Sequence, residues 1–425
     1  MVVDGQRAVY RRRDWLIYLG IRFLSEAAAL AQSVAIGWTI YSLSDTPLSL
    51  GIVGIAQFIP MLLLTLPAGE LCDRFSPRPL AAAGLALQSL CAGAFLGLTV
   101  YQVSTPWPFY GVLLILGSAR ALADPAAQAL LPFLVPPEHL PRAIAGGSSA
   151  WQMAVIAGPA LGGLSYALGP SVAYAGCGLA FLTAMAGLAT LGGRKPAQVQ
   201  TALLTGRIER ISEGIEFIRS RPIVLGAISL DLFAVLLGGA TALLPIYARD
   251  ILKVGPAGLG MLRGAPAAGA FIVAFFQTRY PLNSRVGSRL FSAVAVFGIA
   301  TIVFALSKSF VASLAALIVI GASDMVSVNI RSSLVQLATP DAMRGRVSAV
   351  NMLFIGASSE LGAFESGVVA SLFGTVESVV LGGIGTLCVA AAWMAAFPAL
   401  RKADHVHPIS QASEACGKPA VDSPI

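Results

Sequence analysis

Charge is scarce in this chain. Of its 425 residues only 12% are Asp, Glu, Lys or Arg, about half the share of an ordinary soluble domain. That excludes a sizeable solvated catalytic domain. Histidine is nearly missing, and His139, His405 and His407 lie outside every apolar run and make no catalytic constellation. The five cysteines, Cys72, Cys91, Cys177, Cys388 and Cys416, show neither metal-ligand spacing nor a disulfide framework. Packing is their ordinary role. No Walker sequence ending in Gly-Lys-Ser/Thr occurs, so ATP-driven transport would need another subunit. No small-residue cleavage site follows the first apolar segment, which is too long for a signal peptide. No metal and no cofactor is expected.

What the chain has is apolar length. It is 56% hydrophobic, with 44 Gly and 25 Pro and a mean hydropathy of +0.79. Stretches of roughly 20 residues recur about twelve times, each long enough to cross a bilayer core as a helix. The expected fold is an all-α membrane protein with twelve transmembrane helices in two six-helix lobes. Spans are expected at about 15–42, 48–71, 80–101, 107–131, 143–168 and 170–191, then at about 222–247, 257–278, 288–307, 309–335, 345–372 and 374–398. The domains would be an amino-terminal segment 1–14, a lobe 15–191, a linker 192–221, a second lobe 222–398 and a disordered tail 399–425.

The basic residues set the orientation. Of 28 Lys and Arg, Arg22, Arg120, Arg263 and Arg331 fall inside spans. Only Arg249, Lys253 and Lys308 fall on one side, leaving 21 on the other. By the positive-inside rule both termini are cytoplasmic. The net charge of +7 therefore reflects topology and not a nucleic-acid partner. The expected location is a bacterial inner membrane.

In the linker, Ile208, Ile211, Ile215 and Ile218 form one helical stripe, with charges on the other face. Such a helix lies on the membrane surface or under the bundle. A lobe tether is the plain reading, and a regulatory role the alternative. The halves echo each other weakly. Leu134-Val135-Pro136-Pro137-Glu138 and Leu337-Ala338-Thr339-Pro340-Asp341 each place an apolar run, Pro and an acid at a helix exit. Two parallel six-helix repeats are one transporter architecture.

Two segments carry the sharpest signal. Gly69-Glu70-Leu71-Cys72-Asp73-Arg74-Phe75-Ser76-Pro77-Arg78 joins the second and third spans. Gly69 permits close approach, Asp73 can face a helix N-terminus, and Arg74 and Arg78 can hold carboxylates or phosphates. An ordinary basic loop is the bland alternative. Gly158-Pro159-Ala160-Leu161-Gly162-Gly163 lies in the fifth span, where Pro159 kinks the helix and the glycines allow close packing.

With these segments the chain resembles the major facilitator superfamily over about residues 12–400. Residues 69–78 match that family's loop 2–3 signature, and residues 158–163 its helix-5 signature associated with antiporters. Residues 130–136 and 336–347 are similar to the branch of bacterial enterobactin exporters and related efflux permeases. The resemblance implies transport, and export in particular. Between Gln277 and Arg289 no clear Gly-x-x-x-Asp occurs, so symmetric gating is not implied. Arg344 and Arg346 would sit near Asp73 as gate or topology residues.

Embedded charges are costly unless paired or hydrated. Arg22 with Glu26, and Arg120 with Asp124, are spaced to share a helix face. Each pair either neutralises itself or exchanges partners. Asp324 and Arg331 are two turns apart on one face, so Arg331 either binds an anionic solute or compensates Asp324. Asp231, Glu360 and Glu365 complete the set. A carboxyl that is neutral in one state and ionised in another is what a proton antiporter needs. Asp231 and Asp324 lead as proton sites, followed by Glu360, Asp124 and Glu26, against static pairing as the alternative. Phe23, Trp151, Gln128 and Asn329 are candidate cavity groups with Arg22, Arg120 and Arg331. Packing is the default for the aromatics.

The expected function is a monomeric secondary exporter of a small amphipathic molecule, siderophore or drug-like, driven by protons. An importer or facilitator, or a non-transporting receptor or scaffold, are the alternatives.

Overall fold

In hydrocarbon every backbone N–H and C=O must be satisfied internally, so long apolar runs fold as helices. The computed structural model describes residues 12–135, 139–191, 207–280 and 285–401. The first half forms α1 Arg12–Ser44, α2 Pro47–Arg74, α3 Pro77–Val100, α4 Trp107–Ala129, α5 Leu140–Leu168 and α6 Pro170–Thr190. The second forms α7 Pro222–Leu237, α8 Gly255–Arg279, α9 Val286–Leu306, α10 Phe310–Ala338, α11 Asp341–Phe373 and α12 Thr375–Ala396. Among the described residues ten helical segments are long and apolar enough to cross a membrane. The other two long helices are α4, which carries Arg120 and Asp124, and α5, which carries a Gly-Gly-Ser-Ser run. No strand occurs among the described residues.

Punctuation in the sequence explains the ends. Proline opens α2, α3, α6 and α7, where its missing N–H costs nothing. Gly169 and Gly374, at φ 147° and 106°, turn the chain between the fifth and sixth helices of each half. An L side chain is strained there.

Packing repeats helix for helix. In the first half α1 packs on α5 and α6, α2 on α4, and α3 on α4 and α6. In the second, α7 packs on α11 and α12, α8 on α10, and α9 on α10 and α12. The halves meet through α5 with α8 and α2 with α11, contacts that exchange under the same repeat. The echo at Pro136 to Glu138 falls outside the described residues, as does the tail beyond 401.

Among the described residues a buried apolar cluster joins the lobes at one face only. At the face opposite the chain ends, Val34, Tyr41 and Leu50 share a buried cluster with Leu243, Tyr247, Leu259 and Leu262 of the second lobe. Toward the chain ends each buried cluster stays within its lobe, around Tyr18 and Ala143 in one and Val224 and Val347 in the other.

Two expectations are corrected. The seventh span is not one continuous helix over 222–247. It breaks after Leu237, continues as a 3-10 turn Ala240–Leu243 and a short Leu244–Ile246 turn, and ends in a wide turn Tyr247–Ile251. The Gly238-Gly239 pair permits the break where α11 crosses, since a Cβ at Gly239 would collide with Gly362 and Ser366. The fourth span ends at Ala129, and Pro132 lies in a separate turn Leu131–Leu134. The linker helix spans Arg207–Ser220. Ile218 is buried and Ile215 packs beside it, against Val224, Val335, Val347 and Val350. Its apolar stripe is therefore seated under the second lobe. Ile208 and Ile211 have side chains outside the described residues.

Candidate functional site: buried charge in each lobe and a latch between them

The first lobe holds a cavity of about 140 Å³ between α1, α3, α4 and α6, lined by Arg22, Glu26, Gln88, Arg120 and Asp124. It has room for about ten waters, less than the roughly 300–1,000 Å³ of a drug-sized site. Arg22 and Glu26 form the expected pair at 3.7 Å. Arg120 and Asp124 do not form theirs: no ion pair within 4.0 Å joins them among the described residues. Arg120 instead reaches Gln57 Oε1 of α2 at 3.4 Å and the Ala29 carbonyl of α1 at 3.2 Å. The i,i+4 spacing puts two groups on one face, but neighbouring helices offer the guanidinium better-placed acceptors.

In the second lobe the pairing also crosses helices. Arg331 of α10 pairs with Asp231 of α7, and both are almost wholly buried. Arg331 Nε also donates to the Ser327 carbonyl at 3.3 Å. Asp324 stands in the same cavity as the pair, with Ser323 and Ser327. It makes no ion pair within 4.0 Å among the described residues, so Arg331 compensates Asp231 first.

A third group lies where the lobes meet. Glu360 of α11 has Oε2 against Gly54 of α2, within electrostatic reach of Arg120 and Arg263. Arg263 of α8 donates to the Ser33 carbonyl of α1 at 3.4 Å. Charges from both lobes therefore share one layer. Arg263 and Gln57 were not singled out as site residues in the sequence, because nothing local to either shows its partner.

The helix-5 segment serves two interfaces. Gly158 and Gly162 face Ala27 and Ala31 of α1, whereas Gly163 and the Pro159 carbonyl meet Gly260 of α8 in the other lobe. Beside them Gln152 donates to the Ala267 carbonyl at 3.5 Å.

At the closed face is a latch that span-level reading missed. Arg249 binds Asp45 at 2.7 Å and the Tyr41 carbonyl at 3.3 Å, with its guanidinium over the Tyr41 ring. The Tyr41 hydroxyl donates to Asp250. Arg249 and Asp250 lie in the wide turn 247–251, a distortion common at functional sites. Three acids and bases around two span ends were the available signal.

The remaining candidates scatter. Arg78 donates to the Ala189 carbonyl at 2.6 Å, favourable at the negative end of α6. The side chains of Asp73 and Arg74 lie outside the described residues, as do the surroundings of Gly69. Arg346 pairs with Glu213 of the linker helix at 2.5 Å, and Arg344 donates to the Gln336 carbonyl at 3.5 Å. Asn329 donates to Gln277 within the second lobe. Gln128 and Trp151 are exposed and Phe23 is partly buried; none lines the charged cavities described above.

The sequence matches the family described as transmembrane secretion effector over residues 14–424. It is 25% identical over 391 residues to the multidrug efflux pump Tap of Mycobacterium tuberculosis, covering 87% of this chain and 90% of that protein. It is 24% identical over 426 aligned positions to the enterobactin exporter EntS of Escherichia coli, covering 95% and 99%. A bacterial homologue of the human lysosomal transporter Spinster, inward-facing and unoccupied, superposes with a TM-score of 0.73 at 14% identity, covering 93% and 99%. The nucleoside transporter NupG superposes at 0.67 and 16% identity, covering 90% and 99%. These structural likenesses speak to the fold.

Proposed function

The chain belongs to the transmembrane secretion effector family of the major facilitator superfamily, and on that premise we propose that it exports a small amphipathic solute in exchange for protons. It is a multi-pass membrane transporter and not an enzyme. The observation that carries the proposal is a half-buried carboxylate lining a cavity that can hold water in each lobe, Asp124 in one and Asp324 in the other. Carboxyls kept in hydrocarbon at such cost belong to proton or ion pathways. Export is favoured because the relatives at full length are, by name, an efflux pump and an exporter.

The excess of Lys and Arg on the side of the chain ends supports a cytoplasmic position for that face in a bacterial cell. The latched face is then outside, and the described state opens inward. Solute enters between the lobes. The lobes rock about the α5–α8 and α2–α11 contacts, and the Asp45–Arg249 latch parts. Protons bound from outside at Asp324, Asp231, Glu360 or Asp124 return inward. Coupling requires that protonation change the balance of the two states. One chain contains the whole path, so a monomer suffices.

The test uses purified chain in vesicles loaded with a pH dye. Adding a lipophilic drug or a catecholate siderophore outside should move protons opposite to the solute. Asp231→Asn, Asp324→Asn and Glu360→Gln, made separately, should include at least one that uncouples the two. Proton movement unchanged in all three would sink the assignment.

A further inference from the structure

We infer that the Asp231–Arg331 ion pair gates a water path from the face of the chain ends to Asp324. The inference rests on Asp324 being a proton site as proposed above.

Two cavities meet at this pair. The inner one, about 20 Å³, is lined by Asp324, Ser323 and Ser327. The outer one, about 30 Å³, is lined by Ser332, Val335 and Asn351. Each holds about one or two waters. Asp231 and Arg331 line both, and no other residue does. The outer cavity lies toward the chain ends: Val335 is within one turn of the end of α10, and Ala227 within two turns of the start of α7. From the face of the chain ends the order is therefore outer water, ion pair, inner water, Asp324. The Arg331 Nε bond to the Ser327 carbonyl holds the guanidinium across the passage.

The chemistry moves one proton and no electrons. In the release direction the Asp324 carboxylic acid gives its proton to water in the inner cavity, and that hydronium gives it to the Asp231 carboxylate, so an O–H bond breaks on water as one forms on Asp231. Neutral Asp231 loosens its hold on Arg331, which keeps its charge throughout. The proton passes to water in the outer cavity and on toward the face of the chain ends, leaving Asp324 a carboxylate. Asp231 is again an anion and the pair re-forms. The charged groups facing the path are Asp231 from α7 and Asp324 and Arg331 from α10. Helix α9 presents Ala293, Val294 and Phe297, and α11 presents Asn351 and Ile355. Arg331 is thus a positioning residue, with a role beyond neutralising a neighbour.

Hydrogen–deuterium exchange of the Asp324 carboxylic acid, followed by infrared spectroscopy on the full chain in lipid vesicles, tests this. Asp324→Asn identifies the band. Asn351→Leu and Ser332→Leu fill the outer cavity from two different helices, so the test survives misfolding of either. Both should slow exchange about ten-fold or more by removing its water, and Arg331→Gln should speed it. Wild-type exchange rates in the folded fillers would overturn the path while leaving Asp324 as a proton site. A spectrum in which Asp324→Asn removes no carboxylic acid band would overturn the proton-site reading, and the gate with it.

Discussion

At the scale of single residues, the deeply buried ion pair Asp231–Arg331 joins two helices. Removing one partner of a buried pair leaves an uncompensated charge, a loss of roughly 3–5 kcal/mol. Arg331→Gln alone should therefore lower the unfolding midpoint in detergent. The double variant Asp231→Asn with Arg331→Gln should recover part of the loss, and equal midpoints for single and double would contradict the pairing. Helical spacing found every embedded charge and the Arg22–Glu26 pair. It failed for Arg120 and for Arg331, whose partners lie on other helices. Sequence spacing reports which groups share a face of one helix, and it is silent about what faces them. The same blindness hid the acceptor of Arg263, the Ser33 carbonyl.

At the scale of elements, small residues decide where helices approach. Gly162 faces α1 inside the first lobe, whereas Gly163 faces α8 across the lobes. Neighbouring positions should thus fail differently. Gly162→Leu forces a side chain into packed backbone, at about 1–3 kcal/mol or more, and should lower the unfolding midpoint. Gly163→Leu should leave each lobe folded but block closure at the latched face, so that transport is lost with little change in midpoint. A shared loss of stability in both variants would refute the division. The spans were legible from hydropathy to within a few residues, since backbone satisfaction in lipid leaves helices as the only solution. The break at Gly238-Gly239 was not, because its cause is the approach of Gly362 and Ser366 from α11. The linker's amphipathic stripe was legible as well, and only packing could show that it covers Val347 and Val350.

At the scale of the molecule, the helix packing repeats in the two halves, with a thin layer of charge and small residues between them. Closure at one face rests on an apolar cluster and on the Arg249–Asp45 latch. Both partners of the latch are substantially exposed, so the ion pair contributes up to about 1 kcal/mol. That is enough to bias two states without locking one. Paired cysteines, Asp45→Cys with Arg249→Cys, should cross-link under oxidation and arrest transport, and reductant should restore it. Transport that continues in the cross-linked protein would show that this face need not open. The central claim is proton-driven outward transport, and the most direct test is solute uptake into inverted membrane vesicles under an imposed pH gradient. Uptake of a drug or siderophore should collapse when the gradient is dissipated and be lost in Asp324→Asn. Uptake that ignores both the gradient and that substitution would contradict it.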